Sequence, residues 1–102
     1  MSVALLIKDA SGETSLVPVA TEATYGAVWQ AGAKALGLQW VEAMQFGVHV
    51  GDEDRAEVLE ELRMLRGWFE ASGYPSLIER LGFVVAALKA VRFDMGETVS
   101  IG

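Results

Sequence analysis

Two long helical patterns in the second half of the chain constrain the fold most, because only a short turn separates them. The first pattern runs from about Asp52 to Ala71, and the second starts at Pro75, a residue favoured at the first position of a helix. In both patterns apolar residues recur every three or four positions, which predicts amphipathic helices that each bury one stripe. The stripes are Val58, Leu62, Leu65 and Phe69 in the first helix, and Leu77, Leu81, Val84, Leu88 and Val91 in the second.

The N-terminal part of the chain predicts a β-hairpin. Residues Val3 to Ile7 alternate with a period of two, and their aliphatic side chains indicate a strand with both faces largely covered. The turn residues from Asp9 to Glu13 separate it from a second strand over Thr14 to Ala20. Because Pro18 has no N–H to donate to a neighbouring strand, we expect the second strand at an edge of the sheet.

A helix is expected after the hairpin, from about Thr21 to Gly37. A threonine hydroxyl caps the start of a helix well, and a glycine accepts the left-handed conformation that ends many helices. Tyr25 and Trp29 share the face of this helix that we expect to point into the core.

The stretch from Leu38 to Val50 fits two patterns. Alternating apolar residues favour a strand, and the segment from Phe46 to Val50 is rich in residues common in strands. We therefore predict a strand here. The alternative is a helix over the first half, since Trp40, Val41 and Met44 also fit one helical face.

A last alternation from Glu97 to Ile101 predicts a short final strand. The predicted order is therefore β-β-α-β-α-α-β. We expect one α+β domain over residues 1–102, with helices packed on one face of a mostly antiparallel or mixed sheet. Hydrophobic residues form 52% of the 102 residues, which suits a domain with one modest core.

Charge and composition argue against several classes of partner. The chain has 14 acidic and 8 basic residues and a net charge of −6, whereas binding to nucleic acid needs clustered lysine and arginine. The absence of cysteine removes disulfides and thiolate sites and fits a reducing compartment, so we expect a cytoplasmic protein. We expect no secretion signal and no membrane contact, since no apolar stretch approaches the roughly 18 residues of a membrane span.

A single histidine limits the enzymatic possibilities. His49 lies between two valines in the alternating stretch, where solvent or a backbone hydrogen bond explains it. A site that joins His49 to Asp52 or Asp54 is the alternative, but acidic residues at the start of a helix are typical of caps. No glycine-rich phosphate-binding motif occurs in the chain. We therefore expect no enzymatic activity, no metal site and no cofactor.

The helix predicted over residues 52–71 has a second, acidic side. On a wheel of about 100° per residue this side lies away from the apolar stripe. Like charges four residues apart repel one another, which is a local cost without a visible structural gain. Such a ridge suits a basic protein partner, because its charges steer the encounter and its aromatic residue anchors the contact. The ridge consists of Glu53, Glu57, Glu60, Glu61, Met64 and Trp68.

The acidic ridge supports the first of two functional hypotheses. The chain would be a small acidic protein-binding module, such as an inhibitor or an immunity or antitoxin-like protein that neutralises a basic partner, for example a nuclease-type toxin. The alternative is an ordinary solvated glutamate face, with Trp68 packed under the last helix or against the turn at 73–75.

The helix that starts at Pro75 supports the second hypothesis, a structural or accessory subunit. No charged residue occurs between Arg80 and Lys89, which predicts a helix covered on most sides. A chain of this size cannot easily wrap one helix completely, so a homodimer would supply the remaining cover. The residues expected to self-associate are Leu77, Leu81, Phe83, Val84, Val85 and Leu88.

Overall fold

The computed structural model describes residues 2–102, and the side chains of all of these except Ser2 and Glu22. The described residues form four strands in one antiparallel sheet and four helices, which confirms the α+β class. The predicted order is also confirmed, apart from one additional short helix before the third strand. The strands are β1 (Ser2–Lys8), β2 (Thr14–Thr21), β3 (Val48–Val50) and β4 (Thr98–Ile101). The helices are α1, which joins Glu22–Thr24, Tyr25–Trp29 and Gln30–Leu36, then α2 (Gln39–Ala43), α3 (Arg55–Ser72) and α4 (Pro75–Ala90).

The side chain of Asp9 closes the β1–β2 hairpin. Its Oδ1 accepts a hydrogen bond from the Ser11 hydroxyl at 2.6 Å, and others from the backbone N–H groups of Ser11 and Glu13 at 2.9 and 3.0 Å. These bonds, that of the Ser11 hydroxyl above all, favour the charged carboxylate and lower the pKa of Asp9. Gly12 has a φ of +91°, a left-handed conformation that favours glycine. The turn residues therefore determine where the hairpin reverses.

The strands lie in the order β2-β1-β4-β3. β2 is at an edge, which confirms the position expected from Pro18. The β1–β2 register shifts where Ala4 pairs with Pro18 and Val3 pairs with Ala20, so Val19 is the extra residue of a bulge. Both the proline and the bulge make this edge a poor template for pairing with another strand.

Only one face of the sheet is covered by helices. Leu5, Val99 and Ile101 point to this face and are at most 2% exposed. Leu6 lies on the opposite face and keeps 36% of its surface exposed. The prediction that both faces of β1 are covered is therefore wrong, because the core lies on one side of the sheet.

α1 contains a π-helical turn between its two α-helical parts. The Thr21 hydroxyl caps the first turn by accepting a backbone N–H at 3.1 Å, as expected. From Tyr25 to Trp29 the helix widens, which brings residues five positions apart together. Gln30 Nε2 accordingly donates to the Tyr25 hydroxyl at 3.2 Å. The helix ends at Gly37, whose φ of +70° is the left-handed conformation predicted for it.

The stretch from Leu38 to Val50 is helical over most of its length. Gln39–Ala43 forms α2, a 3₁₀ turn follows at Met44–Phe46, and only Val48–Val50 is extended. The strand predicted for the whole stretch is therefore wrong over residues 39–46. The helical alternative for the first half is correct.

A distant side chain explains why α2 is a helix. Val41 and Met44, three residues apart, are both fully buried, which is the spacing of a helical face. The backbone N–H of Val41 donates to Glu61 Oε1 on α3 at 3.1 Å, so a residue twenty positions away caps this short helix. Local sequence patterns contain no sign of that contact.

α3 and α4 form a helical hairpin whose inner sides complete the core. The predicted stripe of α3 is confirmed, since each of its four members is fully buried. Trp29 of α1 is also fully buried, as expected, and its ring meets Phe69 of α3 edge to face at 5.5 Å. The apolar stripes therefore fix α3 with its acidic side turned to solvent.

Candidate protein-binding surfaces

Four members of the predicted ridge are exposed together at the N-terminal half of α3. Glu53 lies in the 3₁₀ turn at Asp52–Asp54 that precedes the helix, and Glu57 and Glu60 follow on the helix itself. Met64, 38% exposed, continues the line by one turn. Their spacing of three or four residues aligns them on one side of α3. We call Glu53, Glu57, Glu60 and Met64 the acidic strip.

Only part of the strip is neutralised by cations of the chain itself. Glu60 pairs with Arg63, with 2.6 Å between Oε1 and Nη2, and the hydrogen bonds of this pair lower the pKa of Glu60 and raise that of Arg63. Among the described residues, neither Glu53 nor Glu57 takes part in an ion pair. Both lie near the positive end of the α3 dipole, which partly offsets their mutual repulsion. Within the described part of the chain, the strip therefore presents to solvent two carboxylates without an ion pair.

Glu61 belongs to the core side of α3. It is 9% exposed, and its Oε1 is the acceptor for the Val41 N–H described above. N–H groups in the first turn of a helix have no partner within the helix, so a carboxylate that binds one acts as a cap. This contact explains a glutamate at position 61, and the exposed strip does not include it.

Trp68 is partly buried and holds other elements against α3. Its ring stacks on Tyr74 with centroids 6.3 Å apart and planes 23° from parallel. It also lies against Gly32 of α1, where an added Cβ would come within 2.9 Å of Trp68 Cε3. The contact with Tyr74 agrees with the alternative expectation for this residue, which was packing against the turn at 73–75. Because Trp68 is partly buried, Met64 is the exposed apolar end of the strip.

Of the six α4 residues predicted for self-association, three lie in the core and three lie partly or largely at the surface. Phe83 keeps 57% of its surface exposed in the single chain, so the fold itself leaves one side of α4 uncovered. Leu77 and Val85 are half-buried. The other three are at most 1% exposed and pack in the core, so they are not available to a second copy: Leu81, Val84 and Leu88.

A groove of about 470 Å³ runs between the outer sides of α3 and α4. Arg63, Arg66 and Lys89 stand at its rim. Arg63 pairs with Glu60, and Arg66 Nε lies 3.3 Å from Glu70 Oε1. These pairs leave little net charge at the rim for an anionic ligand. The floor is apolar and includes Leu59, Leu62, Leu81 and Val85.

The uncovered face of the sheet is an exposed apolar surface that sequence reasoning missed. Leu6 and Leu16 lie opposite one another on β1 and β2, and Leu16 is 64% exposed. Phe46, in the 3₁₀ turn before β3, is 82% exposed and stands beside them. These side chains surround a shallow hollow of about 460 Å³. We call this surface the open face. It consists of Leu6, Leu16 and Phe46 together with Ala4, Lys8, Pro18, His49 and Ser100.

The strand register places the residues of the open face in rows. His49 pairs with Ser100, Ser100 with Leu6, and Leu6 with Leu16, so one row crosses all four strands. The available sequence signal was the alternation itself, because Ala4, Leu6 and Lys8 occupy the face opposite to Leu5. The aliphatic character of this second set indicated burial, whereas these side chains are partly or largely exposed.

His49 is exposed on the open face, and its two candidate partners, Asp52 and Asp54, contact other groups. Asp52 lies 3.7 Å from Arg55, and Asp54 Oδ2 accepts the Gly51 N–H at 3.1 Å. Over residues 2–102, no hydrogen bond joins His49 to either carboxylate. The same residues contain no group of three histidine, aspartate or glutamate side chains arranged to hold a metal ion.

Comparisons with protein-family models, with curated proteins and with solved structures find no match for this chain. Within the part of the chain that the structure describes, no helix has both the length and the apolar character needed to cross a membrane. The functional argument therefore depends on the surfaces described above.

Proposed function

We propose that this chain is a small protein-binding module without catalytic activity, and that its acidic strip binds a basic protein partner. An inhibitor that neutralises such a partner, similar in kind to immunity or antitoxin-like proteins, is the form of this function that we favour. The observation that carries the proposal is the pair of exposed carboxylates of Glu53 and Glu57, free of ion pairs within the described residues, beside the exposed Met64.

The rigidity of α3 supports a role in binding. The buried stripe of the helix fixes it along its length, and the C-terminal end is closed by Gly73, whose φ of +77° is left-handed. At the N-terminal end, the carboxylate of Asp54 holds the Gly51 N–H. A surface that is already ordered loses little conformational entropy when a partner binds.

The chemistry of the strip matches a cationic surface. Carboxylates at the N-terminal end of α3 add to the field of a chain with a net charge of −6, which accelerates the approach of a basic protein. Met64 then offers an adaptable apolar contact next to those charges. Charge provides attraction and orientation, and the apolar contact provides the water-excluding centre that a stable interface needs.

Support for a non-catalytic role comes from the residues that chemistry would require. The chain has one histidine and no cysteine, and His49 is exposed. General acid–base catalysis needs a group held within hydrogen-bonding reach of its substrate and tuned by its surroundings. Among the described residues, Asp52 lies near Arg55, Asp54 accepts the Gly51 N–H, and no side-chain carboxylate is hydrogen-bonded to His49.

Capture of a partner from an extract of the native host, with the tagged 102-residue chain as bait, tests the proposal. We expect a basic protein to be retained at low salt and released at high salt, because screening weakens exposed charge pairs. The bait should lose this protein when it carries Glu53→Gln and Glu57→Gln together. The matched control is Glu79→Gln, which removes an exposed glutamate of α4 and should retain the partner.

The purified partner then permits a quantitative test by titration calorimetry. We expect the double glutamine variant to weaken binding by about tenfold or more, while Glu79→Gln changes it by less than about twofold. Equal affinities for the wild type and the double variant would contradict the proposal, as would a partner whose binding does not respond to salt.

A further inference from the structure

The open face combines large exposed apolar side chains with an unusual charge distribution. Leu6, Leu16 and Phe46 are 36, 64 and 82% exposed. Among the described residues whose side chains point to this face, the ionisable groups are Lys8 and His49, and there is no carboxylate. A chain with 14 acidic residues therefore places its acidic side chains elsewhere, as far as the described residues show.

This distribution identifies which surface two copies of the chain can bring together. Two molecules that each carry a net charge of −6 repel one another, and the repulsion is strongest where acidic surfaces meet. Contact through the open face places the helices, and the acidic strip with them, on the two outer sides of the pair. The repulsion is then at its weakest, while exposed apolar area is removed from water.

We propose that the open face is a homodimer interface, in which two sheets pack face to face around a twofold axis. In such an interface each contact occurs twice, so Phe46 of one copy would enter the hollow beside Leu6 and Leu16 of the other. Packed sheets lie about 10 Å apart, a distance that apolar side chains of this size fill. Lys8 is long enough to extend its ammonium group to the rim of such a contact.

The size of the face determines the strength expected of the dimer. The four strands contain eight, seven, four and three residues, so at about 3.4 Å per residue and about 4.8 Å per strand the face covers about 360 Å² of each copy. Stable complexes bury about 1,200–2,000 Å² over both partners, so a dimer through this face should be weak and should dissociate on dilution. This inference is independent of the proposed partner for the acidic strip, which remains exposed in the dimer.

Sedimentation equilibrium of the 102-residue chain over micromolar to millimolar concentrations tests the inference. We expect a reversible monomer–dimer equilibrium that salt leaves unchanged or strengthens, because salt screens the repulsion between like-charged copies. Phe46→Ser and Leu16→Thr should each weaken dimerisation by about tenfold or more. The matched control is Phe83→Ser, which removes the exposed phenylalanine of α4 and should leave the equilibrium unchanged.

Three outcomes would overturn the inference. The first is a monomer at every concentration, and the second is a dimer that high salt dissociates. The third is a dimer that Phe83→Ser disrupts while Phe46→Ser does not, which would assign self-association to α4 instead. The wild-type chain gives a second readout that does not depend on variants, since the amide resonances of His49 and Ser100 should shift with concentration. Unshifted resonances in a sample that dimerises would also contradict the interface.

Discussion

The acidic strip and the open face differ in almost every physical property that governs association. The strip lies on the helical side of the sheet and offers two carboxylates without ion pairs among the described residues, beside one methionine. The open face lies on the other side and offers leucine and phenylalanine without a carboxylate. Binding through the strip should weaken with salt, whereas contact through the open face should not. One titration with salt therefore distinguishes the two surfaces.

The two surfaces also depend on the rest of the fold in different ways. The strip is held by the packing of α1 and α2 against the inner side of α3, through Gly32, Trp68 and the Glu61 cap. The open face is held by strand pairing and by the Asp9 turn. Substitutions that disturb one support should therefore leave the other surface intact, which allows the comparison to be tested one side at a time.

The largest effect is expected where α1 approaches α3. A Cβ added to Gly32 would lie 2.6 Å from Leu65 Cδ1 and 2.9 Å from Trp68 Cε3, so Gly32→Ala forces the two helices apart. Overpacking of this kind costs about 1–3 kcal/mol, and the higher helix propensity of alanine offsets at most about 1 kcal/mol of this cost. We expect a net loss of stability, seen as a fall in the urea midpoint of unfolding by far-UV circular dichroism.

Gly67→Ala is the matched control for this substitution. Gly67 is also a helical glycine, but an added Cβ there meets no heavy atom within 4 Å. Alanine is the better helix former by about 0.8–1 kcal/mol, so this variant should be more stable than the wild type. Equal losses of stability in both variants would show that the close approach at Gly32 is not what limits the packing.

A second, smaller effect on stability should distinguish the structural role of Glu61 from that of the exposed glutamates of α3. Glu61→Ala removes the acceptor for the Val41 N–H and should cost about 0.5–2 kcal/mol, the usual range for a lost helix cap. Glu57→Ala, one turn earlier on the exposed strip, should change the unfolding free energy by less than about 0.5 kcal/mol. A reversed order of the two losses would place Glu57, and not Glu61, in the structural role.

A still smaller effect is expected for charge reversal in the strip. Glu57→Lys removes the repulsion between exposed carboxylates, worth a few tenths of a kcal/mol, but it also places a cation in the first turn of α3, where the helix dipole favours an anion by a similar amount. We expect the two effects nearly to cancel, so the unfolding free energy should change by less than about 0.5 kcal/mol at low salt, and by less still as salt is added. Chemical unfolding at two salt concentrations measures this change. A loss of more than about 1 kcal/mol would mean that the carboxylate at position 57 has a structural contact.

The sequence was sufficient for the hairpin, the helical stripes and the helix ends, because each depends on residues close to one another in the chain. The Thr21 hydroxyl, Gly37 and Pro75 act within their own turns, and their effects were predicted correctly. The strand predicted over residues 39–46 was wrong because this segment carries both a strand pattern and a helical one. A contact that favours the helix, between the Val41 N–H and the carboxylate of Glu61, joins residues twenty positions apart and is not visible in the local pattern.

The candidate surfaces were harder to predict than the fold for a related reason. A helical wheel shows the angle at which each side chain leaves its helix. It does not show which part of that helix the neighbouring helices cover. Glu61 and Trp68 were therefore placed on the acidic side, although Glu61 is buried against α2 and Trp68 packs in part against α1. For the sheet, the period of two identified Leu6 and Leu16 as one face, but only the packing of helices on the other side shows that this face is open.

The smallest effect on stability is expected for the β1–β2 turn, which sets the register of the open face. The direction in which this effect changes with pH follows from the pKa of Asp9. Hydrogen bonds in the folded state lower this pKa below the ordinary value of 3.8, so the charged carboxylate stabilises the fold at any pH above that value. The contribution is lost as the pH falls through the lowered pKa of the folded state. Wild type should therefore exceed Asp9→Ala in stability at neutral pH, and the gap should narrow below about pH 4.

Urea unfolding of both proteins at several pH values measures this gap, with Glu13→Ala as the control in the same turn. Glu13 donates its backbone N–H to Asp9, but its side chain makes no hydrogen bond within the described residues, so its removal should not produce a gap that depends on pH. A gap for Asp9→Ala that stays constant down to pH 3 would mean that the turn needs an acceptor but not a charge. The hairpin register, and with it the pairing of Leu6 with Leu16, would then be independent of pH. If the gap narrows instead, acid weakens the turn that supports the open face. The two contacts that support α3, the Gly32 contact and the Glu61 cap, are then tested separately.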